Sequence, residues 1–224
     1  MRKPFCSIES IAAFLHDILQ TRLFEPDPDY NDTPAIEGNL TPGEGKLVVI
    51  TGENATGKSL VRRIVQVAGH DNKVEVIHLS QEGRTSPGIQ RAFVYGSEDW
   101  ESTGYISAHG VKGAIRTSRS RENQHILFLD EPDSGLSDGY AAGIGLQLLE
   151  FIQNPPDKLF ALFVVSHSKP LIQQLIPAKP WHLRLGEFLD LASFITSPVI
   201  PRDPELLYKE GHERFRRIAK FLKS

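Results

Sequence analysis

Three short apolar runs mark the middle of the chain. Residues 47–50, 126–129 and 162–165 are entirely aliphatic or aromatic. Runs this short and this apolar are typical of parallel strands that are buried on both faces. Residues 59–68 follow the first run with apolar side chains at helical spacing, and residues 138–153 form a predicted helix after the second. The pattern predicts an α/β fold with a mostly parallel sheet flanked by helices.

The two ends of the chain predict helices outside this core. Residues 1–38 would hold an N-terminal helix capped by Ser7 or Ser10, then a connecting loop rich in proline. This helix would pack on the core, or alternatively bind a partner. The core would occupy residues 39–200, and residues 201–224 would form a basic C-terminal helix.

A glycine-rich segment joins the first predicted strand to the helix that follows it. Residues 52–59 read G-E-N-A-T-G-K-S, which fits the phosphate-binding loop G-x-x-x-x-G-K-[ST]. The backbone N–H groups of such a loop and the following helix N-terminus attract a polyphosphate. Lys58 would reach the β- and γ-phosphates, and the Ser59 hydroxyl would hold Mg²⁺. The predicted nucleotide-binding residues are Gly52, Glu53, Asn54, Ala55, Thr56, Gly57, Lys58 and Ser59.

Two acidic residues end the second apolar run. Asp130 and Glu131 follow residues 126–129 directly, so they are expected at the carboxyl end of a buried strand. Ligands bind at that edge of open α/β sheets. Asp130 would hold Mg²⁺, and Glu131 would deprotonate the attacking water as a general base. Together with the phosphate loop, these residues predict hydrolysis of a bound polyphosphate.

Several further motifs follow one another in a recognisable order. Residues 41–47 form a Gly-Glu turn before the phosphate-loop strand, residues 134–138 read S-G-L-S-D, and His167 follows the third apolar run. The series resembles the ATP-binding cassette (ABC) superfamily of ATPases, although the aspartate of the loop at 134–138 comes one position later than usual. The resemblance implies an ABC-type fold of the P-loop NTPases, and it implies that His167 contacts the γ-phosphate.

The signature motif of that family is degenerate in this chain. Residues 106–110 read I-S-A-H-G at the expected distance before Asp130, where the family usually has L-S-G-G-Q. The resemblance implies that Ser107 touches the γ-phosphate of an ATP held by a second subunit. The alternatives are an ordinary loop before a helix, or a signature serine within residues 102–104.

The family's glutamine loop is also less clear. Gln81 follows a predicted strand at residues 74–80, and the resemblance implies that it reaches Mg²⁺ and the attacking water. Gln90 is the alternative. Phe24 and Tyr30 are candidates for stacking on adenine, or for core packing.

The interval from Gln81 to Ser107 is short. It leaves no room for the full helical subdomain of transporter cassettes or the coiled coil of chromosome-maintenance relatives, so a reduced helical subdomain is expected. This favours a soluble partner over a membrane permease.

The composition indicates where the protein is expected to be located. The chain has 224 residues, 40% of them hydrophobic, a net charge of −3 and one cysteine, Cys6. No apolar stretch reaches the roughly 20 residues that span a bilayer, and the basic N-terminus lacks the apolar core of a signal peptide, so a cytoplasmic protein is expected. The C-terminal helix would present mostly solvated cations, which bind nucleic acid or an acidic partner, or simply face water. They are Arg214, Arg216, Arg217, Lys220 and Lys223.

The expected function is that of an ATP-gated pair of cassettes, a homodimer or a heterodimer with ATP between the subunits. It would drive a soluble effector such as a nuclease, a nucleic acid or a repair or defence protein. The alternatives are the nucleotide-binding subunit of an ABC transporter and an ATP sensor that does not hydrolyse.

Overall fold

The computed structural model describes residues 8–80, 102–186 and 189–221. Six strands within these ranges form one sheet in the order β1-β6-β2-β5-β4-β3. The five strands from β6 to β3 are parallel, and β1 pairs with β6 in the antiparallel direction at the edge. The strands are β1 (Gly38–Thr41), β2 (Leu47–Gly52), β3 (Glu75–Leu79), β4 (His125–Asp130), β5 (Leu159–Val165) and β6 (Trp181–Leu185).

Helices flank this sheet, which confirms the predicted α/β fold with a mostly parallel sheet. In the described part of the chain they are α1 (Ile11–Leu19), α2 (Lys58–Asp71), α3 (Thr103–Arg119), α4 (Asp138–Gln153), α5 (Lys169–Leu175), α6 (Leu191–Thr196) and α7 (Pro204–Phe221). None of these helices is long and apolar enough to cross a membrane.

Alternation along the strands divides the core into two layers. In β2, Val48 and Ile50 point to the layer formed with α1 and α2. Leu47 and Val49 point to the other layer, which α3, α4, α5 and α6 cover. Successive side chains of a strand face opposite sides of the sheet, so a strand apolar throughout needs cover on both.

Helix α1 belongs to the core, as the sequence predicted. Ser10 caps its start by accepting a hydrogen bond from the Ala13 amide. Phe14, Leu15 and Ile18 are fully buried in the same layer as α2. The alternative, in which this apolar face binds a partner, is therefore wrong.

The strand order brings three loops to one edge of the sheet. β5 lies between β2 and β4, and Val165 is the Cα partner of both Ile50 and Asp130. Because these strands are parallel, the segments that follow them all begin at the carboxyl edge, where open α/β sheets bind ligands. The loop at residues 52–57, the acids at the end of β4 and the residues after β5 therefore meet.

Candidate functional site

A cavity of about 520 Å³ opens at this edge of the sheet. The loop after β2 and the first turn of α2 line it with Asn54, Ala55, Gly57, Lys58 and Ser59. The two acids at the end of β4, Asp130 and Glu131, line it as well. Its volume lies in the usual range for small-ligand sites.

The 52–59 loop has a backbone that few residue types adopt. Gly57 has a φ of 106°, and a Cβ there would lie 2.8 Å from the Cδ1 atom of Ile36. Only glycine fits such a position without strain. Gly57 is the N-cap of α2 and provides no side-chain cap, so the first amides of α2 are left to other acceptors, including a bound anion.

Lys58 folds back over this loop. Its Nζ donates to the carbonyl oxygens of Gly52 at 3.0 Å and Glu53 at 2.8 Å. Burial lowers the pKa of Lys58 to about 8, against the opposing charges of Glu131, Asp130 and Glu53. The charged ammonium therefore gains from any further anion that enters the cavity.

Glu131 sits in a strained backbone conformation next to a histidine. Its φ is 51°, in the left-handed region that costs most residues about 1–3 kcal/mol. The backbone N–H of Glu131 donates to the Val165 carbonyl at 2.9 Å, which holds it there. Its Oε1 lies 3.5 Å from Nε2 of His167. The structure thus places the predicted base and the predicted switch histidine side by side.

The segment after Glu131 is tied down by two serines. Ser166 Oγ donates to the carboxylate of Asp133 at 2.9 Å, and burial raises the pKa of that carboxyl. Ser107 Oγ lies 2.6 Å from the Ser134 carbonyl and 3.1 Å from the Thr103 carbonyl, and donates to these oxygens. The two contacts fix the loop at residues 134–138 against β5 and α3.

The surroundings of Ser107 lie within its own chain. Its side chain is 3% exposed and points to the protein's own loop. Residues 106–110 lie inside α3, so the alternative of a loop before a helix is wrong. Helix α3 begins at Thr103, and the Ser102 hydroxyl caps it by accepting from the Tyr105 amide. The competing signature segment at residues 102–104 is the one at a helix start.

Other predicted residues do not line the cavity or cannot be placed. Gln81, its alternative Gln90 and the reduced helical subdomain lie outside the described residues. Phe24 packs against the core, and Tyr30 lies beneath the Arg217 guanidinium at 4.4 Å. Gly52, Glu53 and Thr56 shape the loop: the Thr56 hydroxyl donates to the Glu53 carbonyl at 2.8 Å.

Helix α7 forms a wall of the cavity that the sequence did not predict. Gly211, Arg214, Phe215 and Ile218 line it. Arg214 and Arg217 are half-buried, so the predicted solvated face is wrong for these two cations; Arg216 is exposed, as expected. The signal was the three- and four-residue spacing of the lining positions, which places them on one helix face.

The donor set fits a magnesium nucleotide. The Ser59 hydroxyl and the carboxylates of Asp130 and Glu131 line one cavity, and oxygen ligands of this kind suit Mg²⁺. Among the described residues, no three His, Cys, Asp or Glu side chains are grouped so that they alone could hold a metal ion.

Comparison with known proteins adds no family to these observations. No protein-family model matches the chain, and no curated protein matches it either.

Proposed function

We propose that this protein binds Mg²⁺-ATP in the cavity and hydrolyses it, as an ABC-type ATPase with a P-loop. One observation carries the proposal. A glycine-bearing loop with Lys58 and Ser59, the acids Asp130 and Glu131, and His167 converge at the carboxyl edge of a parallel sheet. This is the combination of cation, hydroxyl and carboxylates that phosphoryl transfer to water requires.

Each residue has a role in this proposal. The amides of the 52–59 loop and Lys58 hold the phosphates, while Ser59 and Asp130 hold Mg²⁺, which neutralises charge on the phosphates when bound. Glu131 takes the proton of the attacking water, and its held backbone fixes the direction of its carboxylate. His167, 3.5 Å from Glu131, orients that carboxylate and reaches the γ-phosphate.

We further propose that ATP gates a pair of such subunits, identical or different, and that this pair drives a soluble effector. A membrane partner is less favoured because of the short interval before α3. Contact with nucleic acid through the C-terminal helix is less favoured, because Arg217 contacts Thr33 and Tyr30 and Arg214 lines the cavity. The proposed soluble effector would instead contact a surface other than the C-terminal helix.

The second candidate is an ATP sensor that does not hydrolyse. The burial of Ser107 favours it, because a hydroxyl held by the protein's own 134–138 loop does not reach an ATP on a second subunit. In this candidate the cavity binds ATP without hydrolysing it, and ATP binding alone changes which partners the protein contacts.

The test measures ATP binding and phosphate release in four variants. Lys58→Ala is expected to weaken ATP binding about 10- to 100-fold, since it removes a charge-assisted contact. Glu131→Gln is expected to keep binding but lower turnover about 100-fold or more. Lys46→Ala and Glu122→Gln are the matched controls, because they precede β2 and β4 at the opposite edge of the sheet. Both controls should behave like the unmutated protein.

The outcomes separate the candidates. The sensor would be selected if ATP binding depends on Lys58 but no phosphate is released with any partner tested. Failure of the unmutated protein to bind ATP would overturn both candidates. A transporter subunit would be indicated by co-purification with an integral membrane protein.

A further inference from the structure

Helix α7 lies directly on the 52–59 loop. At Gly211 an added Cβ would sit 3.5 Å from the Ala55 Cβ, so the helix backbone and the loop approach closely. Nη2 of Arg202, just before α7, lies 3.9 Å from Oε1 of Glu53. The helix is therefore seated against the same loop that would hold the phosphates.

A second attachment fixes the C-terminal half of α7. The Arg217 guanidinium donates to the Thr33 carbonyl and stacks over the Tyr30 ring at 4.4 Å. Ile218 is 9% exposed and belongs to the cavity wall. These contacts hold the cavity face of α7 in one orientation, and that face carries Arg214.

Arg214 is half-buried in the cavity wall with an unsatisfied donor. Its Nη1 atom is buried and has no hydrogen-bond partner among the residues that the structure describes. Burial lowers the pKa of Arg214, although Glu210, Glu37 and Glu213 oppose the shift. An arginine remains charged in a protein, and a buried charged donor without an acceptor is costly.

An anion in the cavity would stabilise the charge of Arg214. Lys58 and Arg63 line the cavity with Arg214, so three cations face the space around two carboxylates. Guanidinium groups match phosphate oxygens in shape and charge. We infer that Arg214 is a nucleotide-binding residue whose guanidinium donates to a phosphate of the bound nucleoside triphosphate. The inference rests on the proposed function.

Binding would then join two parts of the chain that are far apart in sequence. The phosphates would be held by the 52–59 loop on one side and by α7 on the other. Because the ligand contacts both, it would stabilise the seated position of α7 over any position away from the loop. A nucleotide contact supplied by α7 would couple occupancy of the site to the C-terminal helix.

The experiment measures the affinity of a non-hydrolysable ATP analogue, with Mg²⁺, for three variants on α7. Arg214→Ala is expected to bind about 10- to 100-fold more weakly, the loss of one hydrogen bond to a charged group. Arg214→Lys should recover part of the lost affinity, because lysine restores the positive charge but not the planar set of donors of a guanidinium. Arg216→Ala, an exposed arginine on the same helix, is the matched control and should stay within about twofold.

Competition by inorganic tripolyphosphate identifies the contacted group. Its affinity should fall in Arg214→Ala by about the same factor as that of the ATP analogue. An unchanged tripolyphosphate affinity, or ATP binding equal to that of Arg216→Ala, would overturn the inference while Lys58-dependent binding upheld the proposed function. No binding by the unmutated protein would overturn both. Thermal melting without ligand identifies unfolded variants, and if Arg214→Ala is unfolded, Arg214→Gln replaces it with the same expected loss.

Discussion

At the scale of single residues, burial shifts the pKa of two groups at the candidate site toward their neutral forms. Lys58 rests on two carbonyls of its own loop, and burial brings its pKa to about 8. Asp133 is shifted in the opposite sense, because burial raises the pKa of its carboxyl. Burial favours the neutral form of each group, and a polyphosphate bound beside Lys58 would stabilise its charged form.

The lowered pKa of Lys58 predicts that ATP affinity depends on pH. Phosphates are fully ionised above about pH 7.5, since their second pKa is near 6. Between about pH 7.5 and 9.5 the free protein loses the Lys58 proton, which ATP binding must then restore. We expect affinity to fall about tenfold over this range. Lys58→Arg keeps its charge throughout and should show no such fall, so an equal pH dependence in both proteins would contradict the prediction.

Ser107 shows that motif spacing does not predict what surrounds a side chain. The distance to Asp130 fits a signature serine, yet the hydroxyl is buried and donates to the Ser134 carbonyl. The sequence did contain the better signal, because Ser102 is a good helix cap and marks the start of α3 five residues earlier. A cap motif locates a helix N-terminus more directly than a degenerate pattern does.

This placement predicts a structural role for Ser107. Ser107→Ala should lower the free energy of unfolding by about 1 kcal/mol, because the Ser134 carbonyl loses a partly buried donor. Urea denaturation measures the change. Ser120→Ala, which removes an exposed hydroxyl at the end of the same helix, should change stability by less than about 0.5 kcal/mol. Unchanged stability with lost ATP turnover in Ser107→Ala would instead restore the signature role.

At the scale of elements, the sequence predicted the strands and helices along the chain well. It predicted less well which of these elements pack against each other. The strands β2, β4 and β5 and the helix α2 were evident because buried parallel strands are apolar throughout and a phosphate loop sits between a strand and a helix. The packing of α7 was not evident, because amphipathic spacing shows that a face is buried but not against what. That neighbour is set by tertiary contacts such as Arg217 with Tyr30.

The seating of α7 on the loop predicts that Gly211 does not tolerate a large side chain. Gly211→Leu should lower the free energy of unfolding by about 1 kcal/mol and weaken ATP binding, because atoms beyond the Cβ meet Ala55. Gly113→Leu is the control in α3, where a Cβ meets nothing within 4 Å. It should be neutral or stabilise by up to about 1 kcal/mol, the gain from replacing a helical glycine. Equal behaviour of the two variants would show that α7 does not rest on the loop.

At the scale of the whole molecule, the sheet order explains why distant motifs form one site. Segments that lie far apart in the sequence meet because β5 inserts between β2 and β4 and all three run parallel. The cavity they form is walled in the same chain by α7. Any second subunit that contacts the bound nucleotide must therefore approach beside α7 rather than across an open face.

The oligomeric state of the protein with bound ATP therefore decides whether identical subunits pair. In Glu131→Gln, hydrolysis is blocked, so ATP should hold the paired state and light scattering should report twice the monomer mass with Mg²⁺-ATP only. The double variant Lys58→Ala/Glu131→Gln should stay monomeric, since it binds ATP weakly. A Glu131→Gln protein that binds Mg²⁺-ATP tightly yet remains monomeric would contradict pairing of identical subunits. The cavity would then be closed by α7 within one chain, and a different chain would have to supply any partner contact.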